Sequence, residues 1–330
     1  MREFTVSKNE SGQRLDRWLA KTLPALPATL AQKFLRLKKV KRNGKPAKRD
    51  DRLQTGDLLQ LYINDEFFEQ PGEDNAFLQI LQPDLRILYE DEQILLLDKR
   101  PGLLCHPDDK EYINTLLTHL QAYLYQRREW SPRSEGAFAP ALCNRIDRNT
   151  GGIVIAAKTA EALRIMNEKI KERELSKYYL AIIHGVMKQK SGRLENFLLR
   201  EPEGNLVTVH SRPVKGGKTA ITHYNVLAEH RNLSLVECLL ETGRTHQIRA
   251  QFAHAGHPLL GDNKYGRIKD NAPFGRSIQA LYSYKLTFDL PTDAGVLNHL
   301  KGRSFQVEAV DFVGEFFAKF EHLRRKETDS

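Results

Sequence analysis

Apolar residues in the first part of the chain recur at helical spacing and then give way to a strand. Leu15, Trp18, Leu19 and Leu23 fall on one helical face, and Pro24 ends the pattern. The spacing predicts a second helix after Ala28-Thr29, with Leu30, Phe34, Leu35 and Leu37 on its inner face. Asn43-Gly44 is a turn signal, and Thr55-Gly56-Asp57 turns the chain into a short strand over 58–63. Residues 65–75, acidic and carrying Pro71-Gly72, read as a linker.

Beyond the linker, short apolar runs alternate with amphipathic stretches. Strands are predicted over 86–89, 94–98, 153–157, 178–183, 233–240, 281–288 and 304–312, and helices over 115–127 and 161–171. Residues 245–255 also have helical spacing, with Ile248, Phe252 and Ala255 on one side. Few of these successions form right-handed strand–helix–strand units. The expected class is therefore α+β, a mixed and largely antiparallel sheet with helices on it, preceded by a small α/β module. The expected limits are 1–64 for the first module, 65–84 for the linker, 85–315 for the large domain and 316–330 for a charged, frayed tail.

Charge sharpens this division. The chain of 330 residues carries a net charge of +9, and residues 1–64 hold 15 Lys and Arg against 6 Asp and Glu, so the entire excess lies in the first module. A basic module ahead of a neutral one suggests capture of a polyanion at the front and other work behind. Nucleic acid fits, and an anionic membrane surface would fit the same charge. No apolar run, however, approaches the length needed to cross a bilayer, and no signal-peptide core follows Met1-Arg2-Glu3-Phe4. Cys105, Cys143 and Cys238 lie too far apart in sequence for zinc or redox pairing. They read as small buried hydrophobes in a protein of the reducing cytoplasm.

Two segments crowd polar residues among glycines beside apolar strands. Asn144-Arg145-Ile146-Asp147-Arg148-Asn149-Thr150-Gly151-Gly152 leads straight into the strand at 153. Taken alone it is a turn-capping Asp with solvated arginines. Thr242-Gly243-Arg244-Thr245-His246-Gln247-Ile248-Arg249 would, taken alone, be an amphipathic helix with Thr245 at its N-cap. Gly217-Lys218-Thr219 imitates the end of a phosphate-binding loop, but Arg212 occupies the opening glycine position. His246, His254 and His257 have neither a Cys partner nor zincin spacing, so no metal is expected.

In order and spacing, the two segments resemble the signature loops of the RluA-like pseudouridine synthases. Lys99-Arg100-Pro101-Gly102 with His106-Pro107 ahead of the first segment, and Lys177-Tyr178-Tyr179 with Gly185 between the two, also match. The last motif continues in the family manner through His257-Pro258-Leu259-Leu260-Gly261-Asp262 to Tyr265-Gly266. The first module resembles the small S-four-type RNA-binding domain, from Arg14-Leu15-Asp16 through Asn43-Gly44-Lys45 to Gly56-Asp57. The resemblance covers roughly residues 12–63 and 86–288. Asn144, Ile146 and Gly151 depart from the family's usual His, Leu and Ser, while the Arg and Asp of that motif remain.

The resemblance implies a cofactor-free and metal-free isomerase that converts uridine to pseudouridine within structured RNA. Asp147 is then the nucleophile, attacking either the ribose or ring carbon 6. Arg249 stands against it, and a cation so placed holds a carboxylate in its charged form. Arg145 fills the gap left by the flipped base, and Tyr179 offers that base an aromatic face and a hydroxyl. Arg14, Lys33, Arg36, Lys38, Lys39, Lys41, Arg42 and Arg244 are the expected RNA contacts. The expected partner is RNA rather than DNA or a membrane: large-subunit ribosomal RNA first, with transfer RNA left open. A cytoplasmic monomer is expected. Two other classes compete, a non-catalytic RNA-binding or ribosome-assembly factor and a metal-dependent RNA hydrolase. A pure binder does not need Asp147, Arg145, Tyr179 and Arg249 together, and the motifs lack the paired carboxylates of a hydrolase.

Overall fold

The computed structural model describes residues 1–317 apart from 24, 25, 27, 64–66, 69–75, 133–137 and 202–205. Pro24, residues 65, 66 and 69–75 of the expected linker and the tail from 318 onward lie outside the described residues. Near the N-terminus, β1 (Arg2–Thr5), β2 (Val40–Arg42), β3 (Lys45–Pro46) and β4 (Leu58–Leu61) form an antiparallel sheet in the order β1-β4-β2-β3. Helices α1 (Leu15–Thr22) and α2 (Ala28–Arg36) accompany it. Leu15, Trp18 and Leu19 of α1 join Phe34 and Leu35 in one buried cluster with Val40, Leu59 and Leu61 from the strands. The two turn signals meet in space: Asn43 donates to Asp57 Oδ1 at 2.7 Å, and Leu58 N–H donates to Asn43 Oδ1 at 2.7 Å. Leu37 is 55% exposed because α2 stops one residue earlier, so it does not belong to the inner face.

The large domain is built on a sheet of β5 (Ile87–Glu90), β6 (Ile94–Lys99), β7 (Ala141–Leu142), β8 (Gly151–Ala157), β9 (Leu175–His184), β10 (Ser191–Arg200), β11 (Val207–His210), β12 (Lys218–His230), β13 (Leu233–Leu240), β14 (Leu281–Phe288) and β15 (Ser304–Gln306). The order is β11-β10-β12-β13-β9-β14-β8-β6-β5, with β15 beside β14 and β7 beside β8. All pairings are antiparallel except β14 with β8. The α+β class with a mixed, largely antiparallel sheet is therefore as expected. Helices α3 (Leu116–Gln126) and α5 (Gln247–His254) bury residues such as Leu120 and Phe252 with Leu97, Val154 and Tyr179 on one face. Helices α4 (Ala160–Lys171) and α7 (Asp311–Phe317) bury Met166 and Phe312 with Ile155 and Ile182 on the other, while α6 (Ile268–Asn271) is a short turn. No helix among the described residues is long and apolar enough to cross a membrane.

Phe67 and Phe68, within the expected linker, pack against the first module's core. Phe77 and Ile80, also within it, belong to the large domain's core. Phe317, at the start of the expected tail, is buried with Phe312. Several expected elements need correction. The expected strand over 304–312 is a three-residue strand followed by α7, whose apolar positions also suit a helix. Strands β10, β11 and β12 escaped the sequence reading because charged and polar residues interrupt their partly exposed faces. Gly217-Lys218-Thr219 leads into β12. Helix α5 ends at His254, which leaves Ala255 exposed, and it begins from His246 rather than Thr245. The two domains touch where Arg164 on α4 donates to the Ser11 carbonyl.

Candidate active site

The loop from β7 to β8 and the start of α5 open into one cleft of about 1250 Å³, which is lined by Asp147, Arg145, Tyr179, Arg244, His246 and Arg249 among others. The β7–β8 loop needs three supports. Thr150 N–H closes a turn onto the Asp147 carbonyl at 3.0 Å. Asn144 accepts Ile155 N–H at 2.8 Å, so this departure from the family pattern anchors the loop to β8. Lys99, 1% exposed, donates to the carbonyls of Arg100, Leu103 and Arg148 at 3.0, 2.8 and 2.9 Å. Burial lowers its pKa to about 8, although Cys105, Asp147 and Asp98 nearby oppose the shift.

The glycine pair explains how β8 meets β14. Gly152 has φ +113°, and a Cβ there would lie 2.1 Å from the Ser283 carbonyl oxygen, so only glycine permits this close parallel pairing. A Cβ at Gly151 would fall 2.3 Å from the Tyr282 ring. Tyr282 thus fills the space of the family's usual Ser, and its hydroxyl donates to Asp98 Oδ1 at 2.6 Å.

On the opposite side, two glutamines seat α5 on the β10–β12 strands. Gln247 donates to Ile221 O and Thr222 Oγ1 at 3.0 and 2.9 Å, and it accepts from Thr242 and the Arg244 backbone. Gln251 donates to Leu194 O, Asn196 Oδ1 and Ala220 O. Buried amides satisfied in this way fix a helix in position as well as in direction. That placement aims Arg249. Its Nη1 donates to Asp147 Oδ2 at 2.9 Å, while Nε and Nη2 grip Asp262 Oδ2 and Oδ1 at 2.7 and 3.0 Å. The side chains of Arg249 and Asp262 are 8% and 0% exposed, against 26% for Asp147. Burial pulls the guanidinium pKa down, but Asp262 and Asp147 outweigh it and the net shift is upward. The result is a permanent cation with one arm on the carboxylate at the cleft.

Tyr179 projects into the same face from β9, opposite Ser283, while Tyr178 packs toward the other face. Burial pushes the Tyr179 hydroxyl up to about 12, against a lowering hydrogen bond with Ser283 and with Asp147 adding to the rise. A hydroxyl so placed stays protonated at neutral pH, which suits stacking and hydrogen bonding better than proton abstraction. Arg145 is exposed at the cleft and makes no hydrogen bond or ion pair among the described residues. Arg244 is exposed at the rim, with Nε on Thr219 O at 3.0 Å.

The basic residues of the first module divide into two groups. Lys33, Arg36, Lys38 and Lys39 are exposed around the end of α2. Arg42 is engaged internally with Asp57 at 2.6 Å, Arg14 pairs with Asp16 at 2.8 Å, and Lys41 lies over the Tyr62 ring. Asp262, Lys99 and His246 were not singled out from sequence as site residues, although each lies inside a quoted motif. The spacing from Arg249 to Asp262 carries no periodic signal by which to find their pairing. Among the described residues, no group of three or more His, Cys, Asp or Glu side chains could hold a metal.

Comparisons with known proteins bear on the family and the fold. A family model described as RNA pseudouridylate synthase matches residues 93–254, and an S4 domain model matches 13–59. An uncharacterized RNA pseudouridine synthase of Synechocystis sp. is 34% identical over 88% of this chain and 86% of that protein. Ribosomal large subunit pseudouridine synthase D of Neisseria meningitidis is 32% identical over 87% of this chain and 75% of that protein. Among solved structures, human RNA pseudouridylate synthase domain containing 4 superposes with TM-score 0.54 at 21% identity, covering 72% of this chain and 92% of that one, a likeness of fold.

Proposed function

Because the chain belongs to the RluA-type RNA pseudouridine synthases and carries an N-terminal S4 domain, we propose that it isomerises uridine in large-subunit ribosomal RNA with Asp147 as nucleophile. The observation that carries this reading is the carboxylate of Asp147, partly exposed in a cleft and gripped on one oxygen by a buried arginine. A carboxylate in that position can form and release a covalent bond to the nucleotide while the detached base turns in the pocket. Tyr179 provides a face for the base, and Arg145, with no partner among the described residues, is available to enter the RNA stack. The compartment is the cytoplasm and the working form a monomer. The test is incubation of transcribed large-subunit ribosomal RNA with the protein, followed by mapping of pseudouridine. New pseudouridine at one or a few sites is expected, whereas product only in transfer RNA would redirect the target.

Arg145→Ala tests base replacement in the stack. Flipping a paired uridine costs a few kcal/mol, so the variant should lose roughly ten- to a hundredfold in rate on paired RNA and much less on an unstacked target. Equal losses on both substrates would mean that Arg145 contacts phosphate instead.

The S4 domain supplies affinity through counterion release. Replacing Lys33, Arg36, Lys38 and Lys39 with Gln should flatten the plot of log affinity against log salt by about one unit for each phosphate no longer neutralised. Unchanged slopes would place the RNA anchor elsewhere.

A further inference from the structure

His246 introduces α5 with φ +53°, a left-handed conformation that a non-glycine residue holds only when its surroundings fix it. The imidazole is held from both ends. Its Nδ1 lies 2.8 Å from the Tyr265 hydroxyl, its Nε2 lies 3.7 Å from Asp147 Oδ2, and the side chain is 12% exposed. The Tyr265 oxygen already accepts Val207 N–H at 3.0 Å. The single phenol proton therefore needs an acceptor, and His246 Nδ1 is the one within reach among the described residues. An imidazole that accepts at Nδ1 carries its proton on Nε2, the nitrogen facing the carboxylate. The opposite tautomer would leave the phenol proton unplaced and aim a lone pair at Asp147.

We propose that His246 is a positioning residue for Asp147, locked as the Nε2–H tautomer by the Tyr265 hydroxyl and, behind it, by the Val207 backbone. The proposal rests on the reading of Asp147 as nucleophile. At 3.7 Å the contact is longer than a hydrogen bond, so it acts as an N–H dipole aimed at a charge. Arg249 and His246 both face Oδ2, and Oδ1 has no hydrogen bond among the described residues. Oδ1 is therefore the oxygen left to attack. Tyr265 orders both donors, because the Arg249 guanidinium carbon also lies 5.3 Å from its ring centroid. Burial lowers the His246 pKa, Asp147 and Asp262 oppose the shift, and Arg249 and Lys264 reinforce it, so the ring is neutral at neutral pH. A neutral ring adds no second cation to the one Arg249 provides.

Nitrogen NMR of the histidine-labelled protein reads the tautomer directly, with His246→Gln identifying the signals. The Nε2–H form is expected in the wild type, and Tyr265→Phe should shift it toward a mixture of tautomers. A wild-type Nδ1–H form, or a spectrum indifferent to Tyr265→Phe, would overturn the proposal. In kinetics on transcribed large-subunit ribosomal RNA, His246→Ala should lower kcat by roughly tenfold or more with KM nearly unchanged, a smaller loss than for a donor touching the reacting atoms. His246→Gln, which keeps an N–H near Nε2, should recover most of that loss. Full activity in His246→Ala would also overturn the proposal. If the Ala variant fails to fold, the wild-type spectrum decides by itself. The spectrum does not depend on turnover. An active Asp147→Asn enzyme would therefore refute the nucleophile while leaving the tautomer lock standing.

Discussion

Asp147→Asn should abolish pseudouridine formation, by at least about a thousandfold, while leaving RNA affinity unchanged or slightly higher. The amide keeps the shape of the side chain, and its oxygen can still accept from Arg249 Nη1, which now lies 2.9 Å from Oδ2. It has lost the charge and nucleophilicity needed to form a covalent bond to the nucleotide. Removing a negative charge from a cleft that receives polyanionic RNA reduces repulsion, so binding should not suffer. The direct measurements are single-turnover release of hydrogen isotope from uridine labelled at ring carbon 5, and RNA binding at equal salt. Appreciable turnover in the Asn variant would remove Asp147 from the role of nucleophile.

Asp262→Asn should damage both stability and catalysis. Asp262 has a fully buried side chain that accepts two hydrogen bonds from Arg249 and further ones from the backbone N–H groups of Lys264 and Tyr265. Taking away its charge leaves a buried guanidinium with Asp147 as its remaining carboxylate partner. Breaking a buried pair from one side costs about 3–5 kcal/mol, which a denaturant midpoint would show clearly. The double replacement Arg249→Met with Asp262→Leu removes both charges and should regain only part of that stability, because apolar side chains avoid the desolvation penalty while the Lys264 and Tyr265 N–H groups lose their acceptor. Activity should not return, since Asp147 then has no cation on Oδ2. An Asp262→Asn protein as stable and active as the wild type would show that Arg249 is aimed by α5 alone.

The Arg249 grip also marks how far the sequence could be read. Each partner lies in a motif recognisable along the chain, and Arg249 opposite Asp147 was expected from the family resemblance. Asp262 was only a quoted letter of the last motif, and its burial gave no local signal. The departures at Asn144 and Gly151 likewise acquired a physical meaning only through Ile155 and Tyr282, their neighbours in space.

Local pattern determined the helices at 15–22, 116–126 and 160–171, which are written in a 3.6-residue period, and the buried strands over 94–98 and 153–157, which are written as continuous apolar runs. The concentration of charge in the first module and the assignment of Tyr178 and Tyr179 to opposite faces were equally legible. Strands β10 and β12 were not, since burial on such strands depends on which neighbours cover them. Tertiary structure alone decided that β14 runs parallel to β8, that Lys99 clasps the loop of Asp147, and that Tyr265 joins Val207 to His246. These contacts join residues up to 131 positions apart (Tyr282 and Gly151, for example). Their formation depends on sheet register and on the packing of side chains from separate elements, neither of which any single stretch of sequence encodes.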